Sequence, residues 1–269
     1  MSSRRIGLVL GLVIAWAANA VAAGPHVVTV HALDDRFDAP ERIPSGPTAF
    51  AFLNKGWQSH RMRVLALPPD QDPQLLAEAL TRGGALPPGV SALGGTLAER
   101  AEGAASVILA LEPGPHALAC DLTGQGAHAG RALVQPLEVL RYNAATLPPN
   151  DLEIRLGDSE IAAPLVVTPG PHALRIENAG TRPHALAIAR LRHGRGLGQA
   201  RDWLRGETGP APMIRVSGTA PLSPGRATLL AVTLPAGDYV VYAPIETSES
   251  TRVEDALVRA LAVRAEKLD

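Results

Sequence analysis

The feature that most constrains this chain is that it repeats itself. Asn54-Lys55-Gly56 followed by His60 returns as Asn178-Ala179-Gly180 followed by His184, 124 residues later at both the Asn and the His. Each copy comes after alternating apolar residues, Thr48 to Phe52 and His172 to Ile176. Val107 to Gly114 returns as Leu229 to Gly237: an apolar strand, a turn at Gly, then a second strand (Ala117 to Cys120; Tyr239 to Tyr242). Ala132 to Val139 returns as Ala256 to Val263, again 124 on. Self-similarity at a fixed offset means one structural unit used twice. The chain is therefore expected to hold two copies of one domain, residues 24–145 and 146–269. The join falls near Arg141 to Asn150, where Leu147-Pro148-Pro149-Asn150 breaks the pattern.

Composition then selects the fold class. Only 3% of residues are aromatic, whereas 26 Gly and 24 Pro punctuate a chain that is 46% hydrophobic, so the cores must be Val, Leu, Ile and Ala between many turns. Short apolar strands at this turn spacing, in two copies, predict an all-β protein of two tandem Greek-key β-sandwiches. One short helix is expected in the long connection of each copy, around Gln74 to Thr81 and Gln199 to Leu204. Residues 253–268 alone have helical spacing at Leu257 and Leu261. Their counterpart contains Pro136 and ends in a Leu-x-Val alternation, so the segment up to Val263 is expected to be a strand.

Residues 1–23 combine Arg4 and Arg5 with an apolar run from Ile6 to Ala18 and small-residue cleavage candidates after Ala20 and Ala23. This is the pattern of a signal peptide, and it predicts a periplasmic or secreted mature protein with no membrane span. Arg4-Arg5 leaves twin-arginine and general export both open. The formal charge of −1, from 25 basic and 26 acidic residues, comes without a basic tract, which argues against nucleic acid as a partner. The single cysteine, Cys120, excludes an intrachain disulfide and a paired-cysteine zinc site. A lone thiol in an oxidising compartment is a liability unless it is buried or metal-bound.

Asn54-x-Gly56 followed by His60 at a strand end, Leu111-Glu112-Pro113-Gly114 leading to Cys120, and His128 before the last strand together resemble the secreted, plastocyanin-like cupredoxins of bacteria. The resemblance spans nearly the whole mature chain. It implies a copper site in the N-terminal domain with His60, Cys120 and His128 as ligands, and it places Leu133 where the family carries an axial Met. A thiolate and two imidazoles serve both oxidation states of copper, and an apolar axial group favours Cu(I). Seven residues between Cys120 and His128, and the positive Arg131, depart from the pattern. In the second copy the equivalent positions are His184, Ala243, Arg252 and Leu257, so the C-terminal domain is expected to be degenerate and copper-free.

Two functions follow. One is copper holding or electron transfer with a redox or periplasmic protein partner. The other is a metal-free scaffold acting as a binding or interaction module. An enzyme is not expected: the chain has no His-x-His or His-Cys-His string, no Gly-x-Ser-x-Gly elbow, no His-Glu-x-x-His and no phosphate loop. His116 and Tyr239, each two residues after a turn Gly, are expected to be structural corner residues.

Overall fold

The computed structural model describes residues 24–83, 85–97, 99–122, 130–142, 146–206, 208–246, 251–252 and 257–265. The proposed leader, residues 1–23, lies outside them, as does His128. The chain divides into two compact units, Met1–Pro149 and Asn150–Asp269. Among the described residues no helix is long and apolar enough to cross a membrane.

The first unit contains β1 (His26–Ala32), β2 (Phe37–Asp38), β3 (Arg42–Pro44), β4 (Gly46–Asn54), β5 (Arg63–Ala66), the helix α1 (Pro73–Thr81), β6 (Ser91–Gly95), β7 (Ala104–Leu111), β8 (Gly114–Cys120) and β9 (Leu133–Leu140). One sheet runs β2-β1-β4-β7 and the other β6-β5-β8-β9-β3. The second unit contains β10 (Leu152–Leu156), β11 (Ile161–Ala162), β12 (Val166–Val167), β13 (Gly170–Asn178), β14 (His184–Leu191), the helix α2 (Leu197–Leu204), β15 (Met213–Leu222), β16 (Ala227–Leu234), β17 (Gly237–Tyr242), the short β18 (Ile245–Glu246) and β19 (Thr251–Arg252), and β20 (Val258–Val263). Its sheets run β11-β10-β13-β16 and β15-β14-β17-β20-β12. Among the described residues the protein is all-β with one short helix in each unit, as its composition and turn spacing imply.

Strand order and sense match one for one. In each unit the first long strand pairs parallel with the fourth, and the third pairs parallel with the last. The closing segment is a strand, with β20 antiparallel to β17 over Val258 to Val263. In the ladder Val258, Leu261 and Val263 are buried, whereas Arg259 and Ala260 are exposed.

Alternation in the first unit shows where the core lies. Val28, Val30, Phe50, Phe52, Val107 and Leu109 of one sheet are buried, as are Met62, Val64, Leu118 and Leu137 associated with the other. β8 is buried on both faces. Its outer face, Ala117 and Ala119, meets Leu76 and Leu80 of α1 together with Leu65 and Ala92. Small side chains on the strand let the helix approach closely. Pro73 opens α1 where its missing N–H costs nothing, and the Asp72 carboxylate caps it by accepting the Gln74 N–H at 2.7 Å.

Candidate functional site

His60 sits between β4 and β5 on a bracket that both units build in the same way. The Asn54 side chain donates to the carbonyls of Gln58 and Glu99 (2.7 and 2.8 Å) and accepts the Gly56 N–H (2.9 Å). Asn178 repeats this with Arg182, Leu222 and Gly180. His60 bridges to Glu99 through the backbone, as His184 does to Leu222. Gly56 is required by packing: a Cβ there would stand 2.3 Å from the Asp34 carboxylate and 2.7 Å from His60 Nε2. Asn54 and Asn178 are fully buried. Replacing either with Ala removes three hydrogen bonds of a buried side chain and leaves its volume unfilled, and is expected to destabilise its unit by about 2–4 kcal/mol in urea titrations of the full chain.

The ring of His60 is wholly buried, with Nε2 3.1 Å from Asp34 Oδ1. Asp34 also accepts the Trp57 and Gln58 N–H groups. These backbone bonds, the Trp57 one foremost, and the bond to His60 hold its carboxyl below the usual range. Asp158 does the same for His184 at 2.8 Å, held low by Thr181 and His184. Neither aspartate was singled out in the sequence reading, although they too lie 124 apart. Carrying the repeat back past the Asn would have found them. An acceptor on one imidazole nitrogen fixes the orientation of the ring. Because His184 has the same arrangement, the bracket by itself is structural.

Cys120 ends β8 and is fully buried. Its Sγ accepts the N–H of Arg61, the residue after His60, at 3.4 Å. Burial pushes the thiol up from its ordinary value, against the opposing pull of that bond. Leu133, which the resemblance aligns with the family's axial Met, is the direct cross-strand partner of Cys120 on β9. Arg131 is exposed to water, which screens its charge. Thus the structure brings the strand ends carrying His60 and Cys120 together, whereas His128 lies outside the described residues. No group of three His, Cys, Asp or Glu side chains suited to a metal occurs among the described residues. The donors that are described, one thiol and one imidazole, are of the types copper accepts in both oxidation states.

Next to this pair lies a cluster with no counterpart in the sequence reading. Asp121 is clamped by Arg61 Nε and Arg63 Nη1, both at 2.5 Å, with both arginines buried and the Asp121 side chain 11% exposed. Burial would raise the Asp121 carboxyl, but the two guanidinium charges and their hydrogen bonds outweigh it and hold it at about 2. In the second unit the equivalent residues are Ala185, Ala187 and Pro244.

The corner residues behave as expected. Tyr239 donates its hydroxyl to the Pro235 carbonyl at 2.7 Å, and His116 Nδ1 lies 3.0 Å from the Gly114 carbonyl oxygen.

No protein-family model and no curated protein matches the sequence. Among solved structures, similar ones include a reduced auracyanin from Roseiflexus castenholzii (18% identity, 42% of this chain and 95% of that one, TM-score 0.29). Auracyanin A from Chloroflexus aurantiacus, described as a blue copper protein, matches at 14% identity over 43% of this chain and 99% of its own, TM-score 0.32. The blue copper oxidase from Nitrosomonas europaea matches at 12% identity over 89% of this chain and 85% of its own, TM-score 0.25.

Proposed function

We propose that the protein is an exported, cupredoxin-like copper-holding or electron-transfer protein and not an enzyme. In this reading His60, Cys120 and His128 of the first unit hold one copper, and the second unit is a metal-free copy. The observation that carries it is the juxtaposition of the His60 and Cys120 strand ends, the Cys120 thiol lying 3.4 Å from the nitrogen of the residue after His60. The second unit keeps the histidine bracket but has Ala243 in place of the thiol. Copper would supply one-electron chemistry. The chain's own residues bury the thiol, orient the imidazole through Asp34, and leave an apolar Leu133 opposite the sulfur, an environment that favours Cu(I). Residues 1–23 act as the cleaved leader, and the partner is a periplasmic or secreted redox or copper-accepting protein.

A second reading, a metal-free scaffold, is favoured by the identity of the two histidine brackets. Reconstitution separates the two. The mature protein is expected to retain one copper per chain through desalting and to show an intense thiolate-to-copper charge-transfer band with Cu(II). Cys120→Ser is expected to lose both. Wild-type protein that retains no copper under oxidising or reducing conditions would leave the scaffold reading.

A further inference from the structure

The arginine-aspartate clamp and the thiol share the first unit and are missing together from the second. Where the first unit has Arg61, Arg63, Cys120 and Asp121, the second has Ala185, Ala187, Ala243 and Pro244. The fold itself therefore needs none of the four. Burying two guanidinium groups and a carboxylate is costly, and such a cluster is often replaceable by apolar residues without loss of stability. Stability alone is a weak reason for it to be here.

Register explains how the clamp addresses Cys120. Arg63 pairs with Ala119 and Val64 with Leu118 across β5 and β8. Strand alternation then places Arg61, Arg63 and Asp121 on the face that carries Ala119 and α1. Cys120 shares the opposite face with Leu118 and Met62. The clamp thus grips the residues immediately after both His60 and Cys120 from behind. It pins Asp121 both to Arg63 of β5 and to Arg61, whose N–H is bonded to the sulfur.

We infer that the Arg61–Asp121–Arg63 clamp is a positioning and charge-setting element of the Cys120 site, holding the sulfur against β5 and biasing a bound copper toward Cu(I). This inference rests on the copper reading above. With two guanidinium charges against one carboxylate the clamp carries a net single positive charge, which repels the doubly charged ion more than the singly charged one. The neighbouring Leu133 pushes in the same direction.

The test uses the full mature chain as wild type, Arg63→Met and Arg63→Lys. Cu(I) and Cu(II) affinities are measured by competition with chromophoric chelators. The rate of Cys120 alkylation is measured on the metal-free protein in native buffer. Arg63→Met keeps the Arg61–Asp121 pair but removes one cation. It is expected to lower the Cu(I)-to-Cu(II) affinity ratio by about tenfold and to speed alkylation several-fold. Arg63→Lys retains the charge and is expected to restore most of the ratio. An unchanged ratio in Arg63→Met that still holds copper would overturn the inference while leaving the copper reading intact. An altered ratio with unchanged alkylation would overturn the positioning half. A wild-type protein that takes up no copper would instead overturn the copper reading, and the charge-setting role with it.

Discussion

Asp121→Asn is expected to destabilise the first unit by about 3–5 kcal/mol, because it removes the anion from between two buried guanidinium groups and leaves their charges uncompensated. Hydrogen exchange of the β5 and β8 amides reads the loss directly and separates it from the second unit. A pH dependence goes with it. The folded Asp121 carboxyl lies at about 2, below the roughly 3.9 of an unfolded aspartate. A depressed folded value contributes stability that is complete above the unfolded value and is lost as pH falls through the folded one. Wild-type first-unit protection should therefore weaken between about pH 4 and pH 2, by on the order of 2 kcal/mol. Asp121→Asn should be much flatter across that window. Equal acid sensitivity in wild type and variant would show that the carboxylate is not held as described.

Gly95→Ala is expected to have the largest steric effect. Gly95 closes β6 at φ +141°, a conformation that side chains rarely adopt. A Cβ there would stand 1.9 Å from the Met62 carbonyl oxygen and 2.8 Å from its carbon, both backbone atoms that cannot swing aside. The close approach exists because the next residue, Thr96, ties the same Met62 from both sides. Its N–H donates to the Met62 carbonyl at 2.8 Å, and its hydroxyl accepts the Met62 N–H at 3.1 Å. To admit a methyl group, β6 must part from the strand that follows His60, a loss of at least about 4 kcal/mol. Failure of the first unit to fold is the expected outcome in amide-exchange and soluble-expression assays. Gly83→Ala is the matched control. Gly83 also has a positive φ, 68°, but nothing stands within 4 Å of a Cβ there. It should cost only about 1–2 kcal/mol, and equal losses at the two positions would refute the steric account.

Much of the fold could be read along the chain because it depends on local pattern. The helices expected near Gln74 and Gln199 occur at Pro73–Thr81 and Leu197–Leu204. The repeat correctly outweighed helical spacing at the last strand, since two copies of one unit must satisfy the same ladder. Comparing the copies also exposed Cys120 as the chemical difference between Ala243 and its counterpart. The same comparison, extended back to Asp34 and Asp158, would have supplied the partners of the two histidines. An aspartate in a polar turn carries no periodic signal of its own.

By itself the sequence determined that the chain is all-β, that a motif recurs at an offset of 124, and that one copy alone carries a thiol beside the shared histidine bracket. Tertiary structure decided what surrounds that thiol. Arg61 and Arg63 read as ordinary polar positions, and Asp121 lies roughly sixty residues away from them. Only the β5 and β8 register sets all three on one buried face and turns Cys120 to the other. That outcome is tertiary because a strand's alternation fixes which residues share a face, whereas the partner strand and the helix packed upon it fix which face loses its water and which charges must then find one another.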